Sequence, residues 1–216
     1  VTENADKEAK KLIRKAKKTN PESAVVIIGC YAQLKPEQIA SIDGVDLVLG
    51  AEEKFNLIEH LDKISYQKRA TKIFQSQISD IKNFIPSYSY GERTRSYLKV
   101  QDGCDYTCSF CTIPQARGKS RSNTVKKTKE IAQQISNTNI REIVLTGVNI
   151  GDFGKGTSEN FLDLIQELDS IKNIDRIRIS SIEPNLLTDE IIKFCFSSKK
   201  FTPHFHIPLK SGSNRI

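Results

Sequence analysis

The sequence predicts an α/β protein built from two successive strand–helix alternations. Two observations carry this reading. Short β-branched runs such as AVVIIG (Ala24–Gly29) and EIVLT (Glu142–Thr146) alternate with stretches of helical periodicity. AVVIIG is apolar throughout, with no wet face, as strands buried on both sides of a parallel sheet are.

In the first series Ala9, Leu12, Ile13 and Ala16 fall on one helical face, with lysines on the other. The strand Ala24–Gly29 follows. KPEQIASI (Lys35–Ile42) is a short helix, with Pro36 suited to its first turn. VDLVLG (Val45–Gly50) is a second strand and EEKFNLIEHL (Glu52–Leu61) a second helix. The order implies a small parallel sheet, whose first strand is expected upstream of Val1. From about Ser65 to Arg95 the pattern becomes polar, with Pro86 and Gly91, and reads as a connection with some strand character.

The second series opens with the strand Ser96–Val100 and a cysteine-rich loop. Val125, Thr128, Ala132 and Ile135 then stripe a helix, followed by the strand Glu142–Thr146. Phe161, Leu164, Ile165 and Leu168 stripe the next helix, before the strand Arg176–Ser180 and the helix DEIIKFCF (Asp189–Phe196). HFHIPL (His204–Leu209) reads as a fourth strand. Four strands with intervening helices make an α/β barrel or open sheet cut short by the chain end. Such folds carry function in the loops after their strands.

Composition narrows the class. The chain has 216 residues, 38% hydrophobic and 27% charged, which is a globular balance. No run reaches the ~18 apolar residues of a membrane span, and the charged VTENADKEAKKL start lacks a signal peptide's apolar stretch. A cytoplasmic setting is expected. Five cysteines, an odd number, do not resemble a secreted disulfide framework. The net charge of +7 favours a polyanionic partner. Met is absent, so the chain is expected to be an internal segment of a longer protein.

Cys104, Cys108 and Cys111 form C-x3-C-x2-C in the loop after the first strand of the second series. A thioredoxin-like pair needs only Cys108 and Cys111 and leaves Cys104 unexplained. A structural zinc site needs four N/S ligands, and His60, His204 and His206 are remote in sequence. Three thiolates suit a 4Fe–4S cluster with three protein-bound irons and the fourth left open to a ligand. The cluster is favoured over zinc and over the redox pair.

With Phe110 before its last cysteine, this motif is the signature of radical S-adenosylmethionine (SAM) enzymes. The wider sequence resembles their methylthiotransferase family, through GCYAQ from Gly29, RTRSYLKVQDGCDYTCSFCTIPQARGKSRS from Arg93, LTGVNIGDFG from Leu145, SSIEP from Ser180 and HIPLKSGSNR from His206. QDGCDYTCSFC most resembles the branch acting on N6-threonylcarbamoyladenosine in tRNA. The isopentenyladenosine and ribosomal-protein aspartate branches usually carry EGC at that point.

The resemblance implies a fold and a division of labour. Residues 1–75 would be an incomplete Rossmann-like N-terminal α/β domain, 76–95 a linker, and 96–216 a truncated radical SAM partial (βα) barrel. The C-terminal RNA-binding domain usual in the family is expected to fall outside this segment. The full-length enzyme would carry two 4Fe–4S clusters. Cys104, Cys108 and Cys111 would hold the radical cluster, whose open iron binds SAM. Reductive cleavage of SAM would yield a 5′-deoxyadenosyl radical that abstracts hydrogen from the target carbon, and a second SAM would supply the methyl group. Cys30 matches the third ligand of an auxiliary cluster whose other two cysteines this chain lacks. The implied partners are tRNA and a flavodoxin- or ferredoxin-like electron donor, with no membrane.

Other residues are candidates of lesser weight. Phe110, Gly147, Asn149, Ser180 and Glu183 are expected near SAM, although a tight turn at Gly147 and a helix cap at SSIEP explain four of them structurally. Arg93, Arg95, Arg117, Lys119 and Arg121 are expected to form an RNA-facing rim, against a solvated surface as the plainer reading. Tyr88, Tyr90 and Tyr106 are candidates for stacking on bases. Cys195 reads as core packing, His204 and His206 as barrel lining. Lys210 stands where the family has Gln.

Overall fold

The computed structural model describes residues 2–61, 71–90, 94–209, 211–213 and 215. Arg93 and Lys210 lie outside the described residues. By internal contacts the chain separates into two compact units, one of residues 1–81 with 105–118, the other of residues 82–104 with 119–216.

The first unit opens with α1 (Glu3–Thr19), capped by Thr2, whose Oγ1 accepts the Ala5 N–H at 3.3 Å. Glu3 and Asp6 at its start and Lys17 and Lys18 at its end complement the helix dipole. Strand β1 (Val26–Ile28) leads into α2 (Cys30–Leu34) and α3 (Pro36–Ala40), then β2 (Leu47–Leu49), α4 (Leu57–Leu61) and β3 (Lys72–Phe74). The three strands form one parallel sheet in the order β1-β2-β3, with Val26 opposite Leu47 and Leu47 opposite Lys72. A core of Ile13, Tyr31, Ala32, Ile39 and Val48 fills the space between this sheet and its helices. Asp46 ties the layers, accepting from Lys17 Nζ at 3.0 Å and from the Val25 N–H at 2.7 Å. The unit also includes α5 (Ile113–Arg117), which packs against α2.

The second unit holds a four-stranded sheet in the order β4-β5-β8-β9. Its strands are β4 (Ser87–Tyr88), β5 (Arg95–Lys99), β8 (Glu142–Thr146) and β9 (Arg176–Ile179), and only β4 runs antiparallel to its neighbour. Between β5 and β8 the chain makes a two-stranded antiparallel ribbon of β6 (Gln101–Asp102) and β7 (Arg121–Ser122). Helices α6 (Val125–Ser136), α7 (Phe161–Asp169) and α8 (Asp189–Ser197) complete the alternation. Each starts at a polar cap, Thr124, Asn160 and Thr188 respectively, and Asn160 and Asp163 make a reciprocal capping box. The faces expected to be apolar are buried: Val125, Thr128, Ala132 and Ile135 on α6, and Phe161, Leu164, Ile165 and Leu168 on α7.

Three local features differ from expectation. Helix α2 is not anticipated by periodicity, because five residues give no readable period. Strand β3 lies in the polar stretch and is too short for an apolar run to announce it. The strand expected over His204–Leu209 does not form. That segment follows β9 in parallel, but only through isolated bridges, Ile177 with Phe201 and Ser181 with His206. Pro203 and Pro208 have no N–H to give a ladder, which accounts for the interruption.

Candidate metal centre and cofactor loops

Within the second unit the residues expected near SAM follow successive parallel strands at their C-terminal ends. Gly147 and Asn149 follow β8, and Ser180 and Glu183 follow β9. Gly147 is required by close approach, since a Cβ there would lie 2.7 Å from Ile150 Cγ2 and 3.0 Å from Gln101 O and Oε1. Asn149 is buried, with its Nδ2 donating to Asp152 Oδ2 at 3.0 Å. Its Oδ1 is buried with no hydrogen-bond partner. An orphaned acceptor beside a strand end is unfavourable alone and fits a ligand that brings a donor, as an amino group does. Ser180 is half-buried, its N–H donating to Leu145 O at 3.2 Å, and Glu183 precedes a short 3₁₀ turn, Pro184–Leu186.

Cys104 stands at the end of the same unit, one residue after Gly103. Gly103 has φ +74°, a left-handed conformation that explains glycine in the DGC motif. Asp102 braces this turn, its Oδ1 accepting the Gly103 N–H at 2.9 Å. Its Oδ2 lies 3.5 Å from both Lys99 Nζ and Arg121 Nη2.

Sequence reasoning passed over Gln101. Its side chain is fully buried. Nε2 lies 3.0 Å from Asp102 O, 2.7 Å from Gly103 O and 2.9 Å from Ser120 Oγ, while Oε1 accepts the N–H groups of Val148 at 3.0 Å and Asn149 at 2.8 Å. The available signal was an uncharged amide in an otherwise strand-like run next to the cysteine motif.

Within the first unit, Cys108 and Cys111 bound a tight turn in which the Cys111 N–H donates to Cys108 O at 3.0 Å. The turn leaves Phe110 77% exposed. Cys108 is exposed and Cys111 half-buried. Cys30 begins α2, half-buried, with Arg117 Nε donating to its Sγ at 3.4 Å.

None of the five cysteines is in a disulfide, so each sulfur is available to deprotonate to the thiolate that a metal or cluster needs. The three of the motif fit an iron–sulfur cluster in the chemistry of the donor set. Among the described residues, no group of three His, Cys, Asp or Glu side chains is arranged to hold a metal ion.

The basic candidates separate by what they touch. Arg95 and Lys119 are exposed. Arg117 contacts Cys30, and Arg121 is held by Asp102 and by the carbonyls of Asn83 and Lys119, at 3.0 Å each. Tyr88 and Tyr90 are exposed. His206 Nδ1 lies 2.6 Å from Ser181 Oγ. Cys195 is fully buried, and burial, with Asp169 adding, pushes its thiol up to about 11, an inert core cysteine as expected. Among the described residues no helix is long and apolar enough to cross a membrane.

Comparison with known proteins points the same way. The radical SAM superfamily model matches residues 98–216, and that of an uncharacterized protein family, UPF0004, matches residues 1–50. The threonylcarbamoyladenosine tRNA methylthiotransferase MtaB of Bacillus subtilis is 37% identical over 222 residues, covering 100% of this chain and 49% of that protein. Its Aquifex aeolicus counterpart is 37% identical over 219 residues, covering 100% of this chain and 53% of that protein. The tRNA-2-methylthio-N(6)-dimethylallyladenosine synthase of Rickettsia felis is 33% identical over 214 residues, covering 96% of this chain and 48% of that protein. The chain thus spans about half the length of the curated relatives it matches.

Proposed function

This chain belongs to the radical SAM superfamily, and from that premise we propose that it is part of a transferase adding a methylthio group to N6-threonylcarbamoyladenosine in tRNA. The observation that carries the substrate is whole-chain similarity to enzymes named for that reaction, at 37% identity. Cys104, Cys108 and Cys111 hold the 4Fe–4S cluster, which supplies when bound the single electron that cleaves SAM. Cys30 serves a second, auxiliary cluster together with cysteines of the longer protein.

Other residues bind and orient SAM. Asn149 Oδ1, buried without a partner, accepts a donor of SAM, while Gly147 lets its turn pack closely against Ile150 and Gln101. Phe110 offers its exposed ring as a stacking face for the adenine. Ser180 and Glu183 follow the next strand and hydrogen-bond SAM. Arg95 and Lys119, both exposed, contact tRNA phosphates with Arg93. Electrons come from a flavodoxin- or ferredoxin-like protein, and the setting is the cytoplasm.

The test is nucleoside mass spectrometry on tRNA from cells that lack the gene for the longer protein. Loss of the methylthio derivative of threonylcarbamoyladenosine alone is expected. Loss of the isopentenyladenosine derivative instead would move the assignment to the other tRNA branch. No change in either would end the tRNA reading.

A further inference from the structure

We propose that Gln101 is a positioning residue that couples the stem of the cysteine loop to the turn after β8. The coupling rests on the proposed reading only in calling both loops parts of one cofactor site. The geometry itself is independent of that reading.

A primary amide offers two donor hydrogens and one carbonyl acceptor. In Gln101 each end serves a different loop. The donor end meets the carbonyls of Asp102 and Gly103, the two residues before Cys104, and Ser120 Oγ just ahead of β7. The acceptor end takes both consecutive N–H groups of the 148–149 turn. Full burial removes water as a substitute partner. Gly147 completes the arrangement, because a Cβ at that position would press on Gln101 Oε1 at 3.0 Å. A shift of the cysteine-loop stem must therefore reach the turn that carries Asn149, whose own side chain has a buried acceptor to offer a ligand.

The amide's two ends make the proposal separable by substitution. Gln101→Glu keeps an acceptor for Val148 and Asn149 but sets an oxygen against the carbonyls of Asp102 and Gly103. Gln101→Met keeps the volume and loses both ends. In the iron-free chain, amide exchange by NMR is expected to stay within about 3-fold of wild type at Val148 and Asn149 in Gln101→Glu, and to accelerate at least about 10-fold in Gln101→Met. After anaerobic reconstitution, Gln101→Glu is expected to shorten the lifetime of the iron chromophore under chelator about 10-fold while changing SAM affinity less than about 3-fold. Gln101→Met is expected to impair both. Should either variant fail to fold, Gly147→Ala supplies the same exchange measurement, because it displaces Gln101 from outside.

Unchanged exchange at Val148 and Asn149 in Gln101→Met overturns the coupling. So does an identical pattern in the two variants that follows global melting alone. Failure of the cluster reading is visible separately, as a wild-type chain that takes up no iron. The exchange data then still decide whether Gln101 bridges the loops.

Discussion

Asp102 and Arg121 are register partners in the β6–β7 ribbon, and Arg121 Nη2 lies 3.5 Å from Asp102 Oδ2. Both side chains are largely buried, at 8% and 14% exposure. Arg121 therefore serves as a brace of the β6–β7 ribbon, and of the two basic neighbours it is Lys119 whose exposure suits the proposed contact with RNA phosphates. Arg121→Ala should cost about 2 kcal/mol in urea unfolding, since it strips a buried carboxylate of one cation. Lys119→Ala should leave stability within about 0.5 kcal/mol and reduce the salt slope of tRNA binding by about 1. Interchanged outcomes would reverse these assignments.

The cysteines should divide by environment. Cys104→Ala, Cys108→Ala and Cys111→Ala should each abolish stable iron uptake on anaerobic reconstitution, as measured by iron content and visible absorption. Cys195→Ala should leave uptake intact and cost about 1 kcal/mol, because it only opens a small void. Iron uptake lost in Cys195→Ala, or retained in Cys108→Ala, contradicts this division.

Cys195 also sets an alkaline limit. Its folded pKa is raised from 9.0 to about 11, so the buried thiol binds its proton more tightly than the unfolded chain does. The stability it contributes is complete below pH 9.0 and is lost as pH rises through about 11. Unfolding free energy measured from pH 8 to 11 should fall less steeply in Cys195→Ala than in wild type.

Glu53 acts at the opposite end of the scale. Hydrogen bonds from Ser76 Oγ at 2.7 Å and from His60 Nε2 at 2.9 Å hold its carboxyl below the ordinary 4.5. A depressed folded pKa gives stability that is present above the unfolded value and lost as pH falls through the folded one. Ser76→Ala should cost about 1 kcal/mol at pH 7, and the gap to wild type should close on acidification below pH 4. A gap that is constant with pH would show that Ser76 acts through packing.

Gly154 tests the loop after β8 without touching a charged group. Its φ is +74°, and a Cβ would stand 2.1 Å from Glu159 O. Gly154→Ala should destabilise by at least about 2 kcal/mol, since both the backbone conformation and the backbone contact resist it. A neutral effect in thermal denaturation would mean that Glu159 yields freely.

The helices and central strands were legible because their burial is periodic. Val125, Thr128, Ala132 and Ile135 face the core as their spacing requires, and so do the four apolar residues of α7. The cysteine motif was legible because spacing and residue type together encode its chemistry. What escaped was non-local. Arg117 and Arg121 have the same charge as Lys119, and only the fold reveals that one contacts Cys30 and the other Asp102. Gln101 carries no charge, and its place at the head of the QDGC motif says nothing of its contacts, so its five partners from three segments are invisible to any local pattern.

Pro203 and Pro208 have a consequence for how molecules of this protein meet one another. The stretch between them runs beside β9, and its first amide, the His204 N–H, already donates to Thr202 O at 2.7 Å. With a tertiary amide near each end, an approaching strand finds no uninterrupted row to pair with. Strand pairing with this segment is thus disfavoured by backbone chemistry, with no charged gatekeeper required.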